Sequence, residues 1–263
     1  MRLLPCLFLC HLVFLSPLLA QTGSEGKVHQ LPEEKAAQTI SLNPDYYVFG
    51  ESLAKNDEDL LPLLIVLHGA GGIGTNIEQG KSKAVRLLGT IAEAEIKTIV
   101  VAPQASKNPM KVGPDGGWIP SDLNALLAHL LETLPIDPDR VYLTGNSMGG
   151  YGTFAWSGVN PEHFAAIAPM VGGLGALGPK DITPDLALWG KNIATLPMKA
   201  YFGAQDHVVP ADRGEMILKA IQKAGGDQAE IIVYEDMGHN AGQRPYSDPE
   251  FFRWLFSHQR SDS

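Results

Sequence analysis

The chain has 263 residues, 44% of them hydrophobic and 19% charged, with 28 glycines, 19 prolines and a net charge of -9. This composition excludes a disordered acidic tail and a collagen-like or low-complexity polymer, and it suffices to bury a real core. An acidic balance with no dense basic run repels a phosphate backbone and anionic headgroups, which argues against nucleic acid as a partner.

Residues 1–20 carry one charged side chain, Arg2, ahead of an apolar run from Leu3 to Ala20 that contains Pro17 and gives way to polar Gln21. The run is shorter than a bilayer span and reads as a cleaved signal peptide. The expected location is therefore secreted or periplasmic, with no stable membrane insertion after processing. Leu18 is bulkier than the small residue preferred three positions before a cut at Ala20, so the cleavage position stays open. Both cysteines, Cys6 and Cys10, lie in this leader. The mature chain would then have no disulfide, no thiolate metal site and no cysteine nucleophile. Residues 21–38 are polar and lack periodicity, and read as an irregular N-terminal segment. Residues 39–263 read as one α/β domain.

Within that domain Tyr46–Phe49 is expected as an antiparallel edge strand. From Leu60 onward short apolar strands alternate with helical stretches, the pattern of a mostly parallel central sheet with helices on both faces. The strands are expected at Leu63–Leu67, Thr98–Ala102, Val141–Thr144, Ala165–Val171, Lys199–Phe202 and Ile231–Tyr234. Helical spacing of apolar residues predicts helices over Ser121–Leu134, Ala211–Ala224 and Asp248–His258, and another running from the turn after Thr144 through Trp156.

Two phosphate-binding patterns fail on inspection. Gly69-Ala70-Gly71-Gly72-Ile73-Gly74 satisfies G-x-G-x-x-G after a strand, but the next strand ends in Ala102-Pro103-Gln104 and lacks the acid that would hold a ribose hydroxyl. Gly80-Lys81-Ser82 resembles the end of a P-loop, yet five residues separate it from Gly74 where four are required.

Gly145-Asn146-Ser147-Met148-Gly149 is a stronger signal. It stands between the strand Val141–Thr144 and a helical stretch, where G-x-S-x-G forms a nucleophile elbow. A serine on so sharp a turn needs small residues two before and two after it, and the following helix directs its N-terminal amides toward the serine oxygen. Asp206 and His239 follow later strands, giving the chain order Ser, Asp, His of α/β-hydrolases. All three would lie at the carboxyl edge of the sheet. Asp236 and Asp212 are competing acids, and His129, His163, His207 and His258 read as surface or packing histidines. His68-Gly69-Ala70-Gly71-Gly72, directly after a strand, supplies small residues for an oxyanion hole, with the amides of Ala70 (Gly71 as substitute) and Met148 as donors. His68 is expected to order this loop.

These segments, with Ile136–Gly150, Gly203-Ala204-Gln205-Asp206 and Gly238-His239, resemble a secreted α/β-hydrolase family. It is the prolyl-oligopeptidase-like "predicted peptidase" group, related to feruloyl esterases and polyhydroxybutyrate depolymerases. The resemblance runs from about Leu60 to His258. It implies the α/β-hydrolase fold and cofactor-free, metal-free serine hydrolysis of carboxylic esters through an acyl-enzyme. Small-molecule or polysaccharide-linked esters are the implied substrates: short acyl or aryl esters, acetyl and feruloyl groups among them. One departure is Asn240-Ala241-Gly242 after the histidine, where such enzymes often have an acid or another polar residue. Gln104, Trp118 and Trp189 are the expected substrate contacts, and the glycine-rich stretch Gly172–Pro197 is expected to form a pocket wall or short lid. A peptidase and a catalytically silent binding module are the alternative readings.

Overall fold

The computed structural model describes residues 25–56, 59–106, 117–176, 178 and 180–260; the proposed leader lies outside them, as does the Asp115-Gly116 pair ahead of Trp118. The elements in chain order are β1 (Lys27–Gln30), α1 (Glu33–Ala36), β2 (Asp45–Phe49), β3 (Leu61–Leu67), α2 (Glu78–Glu93), β4 (Ile99–Ala102), α3 (Pro120–Thr133), β5 (Ile136–Asn146) and α4 (Met148–Val159). They continue with β6 (Ala166–Met170), α5 (Leu186–Ile193), β7 (Met198–Gly203), α6 (Asp212–Lys223), β8 (Ala229–Tyr234), α7 (Gln243–Tyr246) and α8 (Pro249–Phe256). The strands form one sheet of order β1-β2-β4-β3-β5-β6-β7-β8. The six strands from β4 to β8 run parallel, and β2 and β1 are added antiparallel.

Strand side chains alternate between faces, so a sheet covered on both sides needs apolar residues at every position. Strand β3 meets that demand: all seven of its residues are buried. Leu63, Ile65 and Leu67 enter one core with Leu126, Leu130, Phe154, Trp189 and Ile217 from α3 to α6. Leu64 and Val66 enter the other, with Leu87, Leu88 and Ile91 of α2 and Phe251, Phe252 and Leu255 of α8. Each such side chain contributes about 1.5–3 kcal/mol on burial, and together they fix which ends of the strands carry the loops.

Three local features differ from the sequence expectation. The segment 21–38, expected to be irregular, supplies the edge strand β1. Val28 in it is half exposed, so apolar patterning gives no sign of it. The strand forms because its backbone pairs with β2 in register from Lys27↔Val48 to Gln30↔Asp45, with Gln30 Nε2 donating to Asp45 Oδ1 at 2.7 Å. Tyr46–Phe49, expected at the edge, consequently lies one strand inside it. Helix α5 occupies part of the 172–197 stretch. Gly80 lies in the first turn of α2, in agreement with the rejection of the phosphate-loop pattern.

Candidate active site

Strand β5 ends at Asn146, and Ser147 then adopts φ 60° and ψ -114° before α4 begins at Met148. For a residue with a side chain this is a sparsely populated conformation costing on the order of 1–3 kcal/mol. The neighbourhood holds it there. The Ser147 amide donates to Met170 O at 2.9 Å. Any Cβ on Gly145 would lie 2.4 Å from Gly149 O, and one on Gly149 would lie 2.1 Å from Leu67 O. Both positions therefore require glycine, and the close approach they allow presses the turn against the end of β3.

Two further loops meet Ser147 at this edge. The turns after β7 and β8 are joined by backbone bonds from Ala204 N to Tyr234 O and from Gln205 N to Met237 O, each 3.0 Å. Gln205 Nε2 adds a bond to Glu235 O. This juncture sets Asp206 beside His239. The Asp206 side chain is fully buried. Its Oδ1 accepts from the amides of Val208 at 2.8 Å and Val209 at 3.0 Å. Its Oδ2 accepts from His239 Nδ1 at 2.8 Å. A carboxylate can only accept, so His239 carries its proton on Nδ1 and leaves Nε2 as an acceptor. That nitrogen faces Ser147 Oγ at 2.8 Å, which makes the serine hydroxyl the donor. His239 is 32% exposed, so reactants can reach it.

Of the competing acids, Asp236 is exposed and bonded to Arg244 Nη2 at 2.8 Å, and that bond holds its carboxyl below the usual carboxylate range. Asp212 pairs with Arg213 at the start of α6. Neither bonds His239.

Ala70 begins a 3-10 turn, Ala70–Gly72, directly after β3. Within it the amides of Gly72 and Ile73 donate to Gly69 O and Ala70 O. As first residues of their helical segments, Ala70 and Met148 have no intrahelical acceptor for their own amides. A Cβ built on Gly69 would lie 3.5 Å from Ser147 Cβ, so the loop runs alongside the serine, and a side chain there would crowd the space between them.

His68 holds this loop from beneath. It is 1% exposed; its Nδ1 donates to Gly69 O at 2.7 Å and its Nε2 accepts from the Ala105 amide at 3.0 Å. Burial disfavours the imidazolium and pushes its pKa down to about 4.

The three expected substrate contacts are structural instead. Gln104 is fully buried. Its Nε2 donates to Gly72 O at 2.9 Å and Asn76 O at 2.8 Å, and its Oε1 accepts from Asn43. Trp118 is buried with Nε1 donating to His68 O at 3.0 Å. Trp189 packs from α5 against α4, where a Cβ on Gly158 would lie 2.5 Å from its ring. Position after a strand end correctly placed Gln104 near the loop, but its polar atoms satisfy buried carbonyls and brace it. Among the described residues no group of three or more His, Cys, Asp or Glu side chains is gathered as a metal site would require, and no helix is long and apolar enough to cross a membrane.

A mostly parallel eight-stranded sheet, with a serine elbow after β5 and an acid and a histidine after β7 and β8, defines an α/β-hydrolase. Residues 102–248 match the dienelactone hydrolase family, and the chain belongs to that family. It is 28% identical over 153 residues to the provisionally named esterase NocK of Nocardia uniformis subsp. tsuyamanensis, covering 57% of this chain and 42% of that protein. The chain spans about two fifths of the length of the curated relatives it matches. Among solved structures it resembles a thermostable esterase, with TM-score 0.70 and 25% identity over 90% of this chain and 63% of that one. An acylaminoacyl peptidase of Pyrococcus horikoshii shares the fold at TM-score 0.58 and 15% identity, over 91% of this chain and 42% of that one.

Proposed function

We propose that the protein is an exported serine hydrolase that cleaves carboxylic esters through an acyl-enzyme on Ser147. The observation that carries this reading is the continuous relay from Asp206 through His239 to Ser147, with 2.8 Å at both links. His239 Nε2 takes the Ser147 proton as Oγ attacks the acyl carbon. The resulting imidazolium then donates that proton to the leaving alcohol, and a water molecule repeats the sequence to release the acid. Asp206 keeps the required tautomer and stabilises the imidazolium. The amides of Ala70 and Met148 receive the oxyanion, aided by the positive end of α4.

Esters are favoured over amides because a relative 28% identical over 153 residues bears an esterase name, whereas the fold is shared by an esterase and a peptidase alike and does not separate them. Amide cleavage also demands exact protonation of a poor leaving group. Short acyl and aryl esters, including acetyl and feruloyl esters on polysaccharide, are the proposed substrates, in keeping with the resemblance to the prolyl-oligopeptidase-like group and its feruloyl-esterase relatives. Export rests on the leader-like residues 1–20, and the N-terminal sequence of protein recovered outside the cytoplasm checks it.

The deciding experiment measures p-nitrophenyl acetate and methyl ferulate against matched anilides in one preparation. Esters are expected to lead by about a thousandfold in kcat/KM, roughly 4 kcal/mol of transition-state stabilisation. Comparable rates on peptide anilides would replace the esterase reading with a peptidase one. A folded protein that resists a fluorophosphonate probe would be a silent binding module.

A further inference from the structure

The two edges of the sheet are finished differently. Strand β1 is four residues long, Lys27-Val28-His29-Gln30, and its Lys27 and His29 are tied to Glu51. Short length and charge keep an edge from pairing with another chain. Strand β8 is longer and mostly apolar. It runs six residues, Ala229-Glu230-Ile231-Ile232-Val233-Tyr234, with three consecutive β-branched residues and no proline. Its neighbour β7 donates to it from Met198 N to Gln228 O and from Ala204 N to Tyr234 O, in a register from Met198↔Ala229 to Gly203↔Tyr234. The backbone groups of the even-numbered residues therefore bond β7. Those of Ala229, Ile231 and Val233 point out of the sheet, without a hydrogen-bond partner among the described residues. Glu230, the one charged residue of β8, is met by Lys199 Nζ at 3.3 Å, so no uncompensated charge guards this edge.

The side chains of this edge complement themselves. Ala229 and Ile231 pack toward the core on the side of α6, Ile232 and Tyr234 toward the core on the side of α8, and Val233 is 38% exposed. Arg244 of α7 lies over the Tyr234 ring, 4.4 Å from its centroid. In a second copy running antiparallel, a two-fold axis through Glu230 would oppose two carboxylates, and one through Ile231 would set Glu230 against the partner's Ile232. An axis through Ile232 sets Ile231 opposite the partner's Val233 and Val233 opposite the partner's Ile231, each pair exchanging two backbone hydrogen bonds. It also sets Glu230 opposite the partner's Tyr234 and so beside the partner's Arg244. Apolar residues then meet apolar ones and opposite charges meet. We propose that β8 is the interface of a homodimer, in which two copies pair antiparallel about Ile232 and their sheets join into one. Antiparallel pairing turns the carboxyl edges of the two sheets to opposite sides, so each Ser147 site is complete within its own subunit.

The test is sedimentation of the purified protein from about 1 to 100 μM. Wild type is expected to show twice the mass of one chain, and Val233→Lys to raise the dissociation constant about a hundredfold, because the symmetry places the new charge in the interface twice. Val233→Lys is expected to label with a fluorophosphonate as wild type does, which shows that it is folded. Cysteines fix the register. Residues facing each other in a non-hydrogen-bonded antiparallel pair stand about 4.5 Å apart in Cα, within disulfide reach, so Ile232→Cys is expected to form a covalent dimer on oxidation. Val233→Cys, offset from its own copy, is expected to form none, and wild type, with Cys6 and Cys10, is the control. A wild type that stays monomeric, or a dimer whose dissociation constant Val233→Lys leaves in place, overturns the proposal and leaves the edge to an extended segment of another protein. Cross-linking through Val233→Cys in place of Ile232→Cys, or through neither, overturns the pairing about Ile232.

Discussion

Two histidines at the same edge of the sheet show how surroundings divide one side chain into different tasks. His68 directly follows β3 and is buried, with both ring nitrogens bonded to backbone groups of Gly69 and Ala105. His239 follows β8, is one-third exposed, and has a carboxylate on one nitrogen and a hydroxyl on the other. Backbone partners have fixed donor and acceptor roles, so they hold the first ring neutral and make it a strut. The carboxylate of Asp206 can stabilise an imidazolium, so the second ring can take a proton and return it. Partner charge and access to solvent, more than proximity to Ser147, separate the two roles.

The sharpest way to break this contrast is at the proposed catalytic relay. Ser147→Ala is expected to lower ester turnover by on the order of 10^5-fold or more, because no other hydroxyl among the described residues bonds His239, while Tm stays nearly unchanged. Residual turnover within tenfold of wild type would remove Ser147 as the nucleophile. Next in size is Asp206→Asn, expected to cost about 10^4 in kcat by releasing the His239 tautomer. Asp236→Asn is the paired control, with an expected change within about twofold, because Asp236 is exposed and bonds Arg244. The reverse ranking would transfer the acid's role to Asp236.

The positions of Ser147, Asp206 and His239 were legible because each stands at a short, fixed offset from the end of an apolar strand, and a strand end in a parallel sheet fixes which edge a loop occupies. The direction of a side chain within its loop has no such signature. Gln104 and Trp118 were placed at the right edge, but whether they faced the cleft or the carbonyls beneath the loop after β3 depended on His68 O, Gly72 O and Asn76 O, which only the folded loop presents. Trp189 was placed on a loop because Gly172 and Gly175 conceal the helix Leu186–Ile193 that follows them. Helix α2 went unassigned although Ala84, Leu87, Leu88 and Ile91 carry helical spacing. Strand β1 has no apolar alternation to read; backbone pairing with β2 and polar side-chain bonds hold it.

The smallest expected effect tests the strut, through pH. An unfolded histidine takes up a proton below about pH 6.5, whereas folded His68 resists protonation until about 4. Between those values the unfolded chain binds more protons, so His68 contributes stability that is complete above 6.5 and declines as pH falls toward 4. The interval corresponds to about 3 kcal/mol at most. His129, His163 and His258 are lowered in the same direction, chiefly by burial, and steepen the total loss. Comparison with His68→Gln isolates the strut. The glutamine variant is expected to be less stable than wild type at pH 7.5, because an amide cannot span Gly69 O and the Ala105 amide with the same geometry, but to lose less stability between pH 6.5 and 4. Urea midpoints for the two proteins across that range provide the measurement. Parallel curves would show that His68 titrates normally in the folded state, and the neutral, backbone-bonded strut would then no longer stand apart from His239.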